Sequence, residues 1–74
     1  MDKIGLRAVE AIEERAKKNG TRASKERQKL DVAASVYHAW KRRRFSPSAY
    51  YLRNMALAGY DVTYILTGVS NGKG

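Results

Sequence analysis

The sequence predicts an all-α fold, a compact bundle of five short helices in one domain. Three observations lead there. Apolar side chains recur at three- and four-residue spacing along most of the chain, the period of helices with one buried face. No stretch alternates apolar and polar residues between hairpin turns, as half-buried strands would, and no internal repeat is present. Start and stop signals divide the 74 residues into segments the length of short helices. A chain this short makes one domain and buries roughly 60% of its unfolded surface, so its core is small. Of the 43% hydrophobic residues, ten are alanines. The remainder suffices for one helical core and is too little to wall a deep substrate pocket.

The first helix is expected over residues 3–18, with Ile4, Ala8, Val9, Ile12 and Ala16 as its inner stripe. Asp2 can cap its start, and Arg15, Lys17 and Lys18 suit the negative end of the helix dipole. Asn19-Gly20 supplies a left-handed stop. The second helix, over 21–30, opens on Thr21 or Ser24 as N-cap. It is highly charged and anchored only through Ala23, Leu30 and the adjoining Val32. The third, over 33–43, turns Val36, Tyr37 and Trp40 inward and Ala34, Ser35, His38, Ala39, Lys41 and Arg42 elsewhere. Only Asp31-Val32-Ala33 separates these two helices, the length of the turn in a helix-turn-helix. Ser46-Pro47-Ser48 starts the fourth helix, over 48–58, with Pro47 in its first turn. Tyr51, Leu52, Met55 and Ala56 share one face of it, and Gly59 ends it. Asp61 caps the fifth helix, which turns Val62, Ile65 and Leu66 inward and stops at Gly68. Residues 1–68 are thus the domain, and 69–74 a flexible tail without a packing signal.

The net charge is +8, and its placement is uneven. Between residues 22 and 44 stand Arg22, Lys25, Arg27, Lys29, Lys41, Arg42, Arg43 and Arg44, opposed only by Glu26 and Asp31. Positive charge this dense attracts polyanions, and each phosphate it neutralises releases condensed counterions. An anionic membrane fits poorly, because the bulky apolar groups of this segment are few and needed inside. The chain has no cysteine and one histidine, His38, which excludes disulfides, thiol catalysis, thiolate metal sites and paired-histidine metal sites. Acidic residues are few and scattered, and every glycine except Gly5 closes a helix or lies in the tail, so no phosphate-cradling loop exists. We therefore expect no enzymatic activity, no cofactor, no metal and no small-molecule substrate. No apolar run approaches the ~18 to 20 residues of a membrane span, and no secretory h-region opens the chain. A cytoplasmic protein is expected.

Leu30-Asp31-Val32-Ala33-Ala34-Ser35-Val36-Tyr37-His38-Ala39-Trp40 resembles the turn and second helix of the lambda-repressor-like helix-turn-helix family. Ala58-Gly59-Tyr60-Asp61-Val62-Thr63-Tyr64-Ile65-Leu66-Thr67-Gly68 is similar to the last helix of temperate-phage repressors, with its aromatic-apolar-Leu-Thr-Gly ending. Together the likeness spans about residues 20–68. It implies a five-helix bundle of the lambda-repressor-like DNA-binding type. The implied function is transcriptional control through a palindromic, double-stranded operator, bound as a homodimer in a bacterial or phage-infected cell. Glu26 and Arg27 depart from the family, which has an apolar and a small residue there. Asp31 replaces a common glycine, and can adopt the left-handed conformation or cap the next helix.

Carried over by position, the resemblance makes Ala34, Ser35, His38, Ala39 and Arg42 the residues that face bases. Ser35 can donate or accept, His38 can bond a base or a phosphate, and Ala34 and Ala39 can approach a thymine methyl. So sparse a set implies that specificity rests partly on DNA shape and partly on one arginine, Arg42 or Arg44, reading a guanine. Arg22, Lys25, Lys41, Arg43 and Arg44 are expected on phosphates. Tyr37 and Trp40, on a helix stripe, belong to the core. Tyr50, Tyr51, Tyr60 and Tyr64 exceed what a small core needs, and Tyr60, Val62, Tyr64 and Ile65, with Leu66, are expected to seal the dimer. Two rival readings stay open: an antitoxin that binds a partner toxin through an extension, for which little chain is left, and a non-specific or RNA-binding basic protein.

Overall fold

Helix-forming residues dominate the N-terminal quarter of the chain, and the computed structural model, which describes residues 3–69, folds them as α1 (Ile4–Asn19). Beyond it come α2 (Ala23–Lys29), α3 (Ala34–Lys41), α4 (Ala49–Leu57) and α5 (Val62–Thr67), with no strand among the described residues. The longest helix organises the rest: α1 packs against α2, α3 and α5, while α4 meets α5. Ala8, Val9 and Ile12 of α1 form the centre of a core completed by Leu30, Val32, Tyr37, Trp40, Met55, Tyr60 and Ile65. Trp40 is almost wholly buried and meets Tyr51 edge-on at 5.3 Å, which joins α3 to α4.

Four helices end in one device. Gly20, Asp31, Arg43 and Gly59 take left-handed backbone angles, with φ of 68°, 62°, 62° and 91°. In each case the next residue's N–H reaches back to a carbonyl of the last turn: Thr21 to Ala16, Val32 to Arg27, Arg44 to Ala39 and Tyr60 to Met55, at 2.8 to 3.0 Å. These bonds satisfy carbonyls that the helix itself leaves open. Asp31 therefore takes the left-handed option, and its Oδ2 accepts a 2.6 Å hydrogen bond from the Tyr50 hydroxyl of α4. The α2–α3 turn is fastened twice more, by Asn54 Nδ2 donating to the Leu30 carbonyl and Arg27 Nη1 to that of Val32.

Several expectations need correcting. Asp2 lies outside the described residues, as do 70–74 of the expected tail, and the N-cap position of α1 is Lys3, without a side-chain cap. Neither Thr21 nor Ser24 caps α2; Arg22 holds that place, and the Thr21 hydroxyl instead donates to Glu26 Oε2 at 2.6 Å. Pro47 is buried one residue ahead of the N-cap Ser48, not in the first turn of α4. Ala33 and Arg42 flank α3 as its caps, so the helix itself is shorter than 33–43. Ala56 and Leu66 were expected inside and are exposed. Each comes directly after a fully buried residue, Met55 or Ile65, and one residue further on is about 100° round the helix, off the buried stripe. Asp61 does cap α5, accepting the Tyr64 N–H at 3.0 Å.

Glu26 explains how α2 packs with a carboxylate where an apolar side chain would be ordinary. It is 3% exposed, and its oxygen accepts from Thr21 Oγ1, from Asn19 Nδ2 at 3.4 Å and from the Lys29 ammonium at 3.5 Å. A buried charge is tolerated only with such partners. The Thr21 hydroxyl, first among them, holds the carboxyl below its usual range against the opposing effect of burial.

Candidate nucleic-acid interface

The inner face of α3 is locked: Tyr37 and Trp40 are buried and Val36 is half-buried. Tyr37 reaches past the core to donate its hydroxyl to Glu13 Oε2 of α1 at 3.0 Å. Burial, and then the neighbouring Glu13 carboxylate, raise the phenol well above its ordinary range, so it remains a donor. With one face held, the other is fixed in direction. Ala34, Ser35 and His38 lie exposed along it, and Ala39, expected to face bases, is half-buried. The His38 ring stands edge-on to Tyr37 at 5.9 Å.

The end of α3 carries the charge outward. Arg42, Arg43 and Arg44 are exposed, their backbone is held by the terminal bonds of α3, and their side chains make no hydrogen bond or ion pair with the described residues. Ser35, His38, Ala39, Arg42 and Arg44 border a single hollow, so five of the ten residues expected at DNA are brought together. Ala34 is exposed one residue before that group, and Arg22 and Lys25 are exposed at the start of α2. Lys41, expected on a phosphate, stands 3.5 Å from Glu13 Oε2 in a half-exposed pair. Arg27 and Lys29 are engaged within the fold, with the Val32 carbonyl and Glu26.

One residue of this surface was missed from sequence. Phe45 is 68% exposed and borders the same hollow as Ser35, His38, Ala39, Arg42 and Arg44. The available signal was an aromatic directly after four consecutive basic residues.

The expected dimer residues divide. Ile65 is fully buried and Tyr60 is 9% exposed, so both belong to the chain's own core, and neither can seal a second subunit as expected. Tyr60 lies under the Arg15 guanidinium at 4.0 Å, and its buried hydroxyl, pushed up in pKa by burial, has no hydrogen-bond partner among the described residues. Tyr64 at 38% and Leu66 at 42% remain on the surface, and Val62 is half-buried. No group of three potential metal ligands occurs among the described residues, and no described helix is long and apolar enough to cross a membrane. No family model, curated protein or solved structure matches the chain.

Proposed function

We propose that this chain is a sequence-specific DNA-binding regulator of transcription, of the phage-repressor type, in which α2, its turn and α3 work as a helix-turn-helix. One observation carries the reading: the exposed side of α3, with Ser35 and His38, runs directly into three arginines that have no partner among the described residues. An α-helix fits the major groove of B-form DNA, where Ser35, His38 and Arg42 would meet base edges. Unpaired guanidiniums at the end of that helix suit phosphates, whose neutralisation releases counterions and supplies most of the affinity. Arg22 and Lys25 would add phosphate contacts where α2 crosses the backbone. The protein would act as a homodimer through what α5 leaves exposed, Tyr64 and Leu66 with the open edge of Val62. Two copies of α3 would then lie about 34 Å apart and match a palindromic operator.

Selection of binding sites from a random duplex library, followed by titration of the selected duplex against scrambled ones at two salt concentrations, tests this. The expected result is a palindromic site preferred by roughly a thousandfold or more, with affinity falling steeply as salt rises. Equal affinity for every duplex, preference for RNA, or binding only to another protein would overturn it.

A further inference from the structure

Phe45 stands out because a small chain with little apolar bulk leaves this ring 68% exposed in the middle of its cationic surface. Its backbone is held firmly. Gly5 of α1 approaches so closely that a Cβ there would lie 2.9 Å from the Phe45 carbonyl oxygen and 3.2 Å from Trp40 Cα. On one side the preceding Arg44 N–H bonds the Ala39 carbonyl at 2.9 Å, and on the other Pro47 is buried. The ring is therefore projected outward from a fixed support rather than from a loose loop.

Two hollows meet at this ring and share Ser35 and Ala39, which lie one helical turn apart. The first is rimmed by His38, Arg42 and Arg44. The second is mainly apolar and continues down to Val36, Trp40 and Tyr51. An apolar recess thus opens beside the exposed face of α3, next to the hollow that Arg42 and Arg44 rim. In the major groove the apolar group that a base edge presents is the 5-methyl of thymine. We infer that Phe45 and Ala39 enclose a thymine methyl, making Phe45 a specificity-determining residue. This rests on the DNA-binding reading, and the cationic rim favours DNA over an apolar protein segment as the occupant.

The test uses the full chain and a duplex obtained by selection. Each thymine of that duplex is replaced in turn by deoxyuridine, which removes the methyl and leaves the pairing with adenine intact. One position is expected to lose roughly fourfold in affinity, the value of one buried methyl group. With Phe45→Ala, affinity for the thymine duplex falls by a similar factor, and uridine at that position then costs nothing further. Phe45→Leu, still apolar, retains most of the uridine penalty. Because Phe45 is exposed, the variants should keep the wild-type circular dichroism and melting curve. An unchanged affinity for Phe45→Ala, a uridine penalty equal in both proteins, or a selected site without thymine overturns the contact while leaving sequence-specific binding in place. A chain that selects no sequence overturns both readings.

Discussion

The hydroxyl of Tyr37 donates to Glu13 Oε2 at 3.0 Å, and the same carboxylate oxygen stands 3.5 Å from the Lys41 ammonium. Tyr37 and Lys41 lie one turn apart on α3, so a single carboxylate on α1 engages that helix at its middle and at its end. Apolar packing fixes how deep α3 sits. These polar contacts add a constraint on its rotation, and hence on where Ser35 and His38 point.

Tyr37→Phe separates the two effects. The ring keeps its packing, and Glu13, half-exposed and still beside Lys41, loses a donor without being stranded. The hydrogen bond should therefore be worth about 1 kcal/mol, and its loss should lower the melting temperature by about 4 to 8 °C. A variant that melts with the wild type would mean that packing alone positions α3.

Arg43 holds a left-handed backbone angle, φ 62°, at a position where glycine is ordinarily found. An L-residue there costs roughly 1 kcal/mol or more. Strain of this kind persists where the side chain serves a purpose. Arg43→Gly should raise stability by about 1 kcal/mol, and it should also weaken DNA binding almost equally for all sequences, with a salt slope reduced by about one. Thermal melts and salt-dependent titrations of the same variant check both halves. A more stable protein that binds as tightly as before would show that Arg43 touches no phosphate.

What was legible in the sequence was local. The α1 stripe, the Asp61 cap, the left-handed stop at Gly20 and the short Asp31–Ala33 turn depend on residues within a few positions of one another, and the chain spells them out. Glu26 was legible only as a departure. Its resolution comes partly from Asn19 at the end of the preceding helix, and from Thr21, which looked like a cap. The inward fate of Tyr60 and Ile65 depends on α1, through Arg15 and the central core, so the sequence assigned to a dimer seam two residues that the chain's own helices cover. The position of Phe45 after four basic residues was legible, but its outward projection was not, because its support is Gly5, forty residues away in sequence and in contact only after folding.

Glu26 sets a pH dependence with a definite sign. Its folded-state pKa lies below the ordinary 4.5, principally because Thr21 donates to the ionised carboxylate. A depressed carboxyl pKa contributes stability above its unfolded value, and that stability is lost as pH falls through the folded one. Glu26→Gln should thus melt lower than the wild type near neutral pH, with the gap narrowing progressively as pH falls below the ordinary 4.5. Thermal melts from neutral to acidic pH provide the measurement. A gap that stays constant with pH would assign the stability to shape and hydrogen bonding rather than to the charge.

Gly5→Ala sets helix propensity against packing. In the interior of a helix, alanine is better than glycine by about 1 kcal/mol. Against this stands the new methyl, 2.9 Å from the Phe45 carbonyl oxygen and 3.2 Å from both Trp40 Cα and Cβ. Two of those three atoms are backbone, and the third belongs to a wholly buried tryptophan, so none can step aside as the tip of a flexible side chain would. Overpacking of this kind typically costs about 1 to 3 kcal/mol, and separating α1 from α3 would forfeit contacts across the centre of the core. Packing should win, leaving Gly5→Ala destabilised by about 1 kcal/mol. Relief must come through displacement of the Arg44–Phe45 segment, so affinity for a selected duplex should fall although residue 5 itself is buried and touches none of the proposed phosphate contacts. Denaturant titration and DNA binding of this one variant decide the matter: a protein stabilised by the alanine, with binding intact, would mean that α1 does not hold the Phe45 support in place.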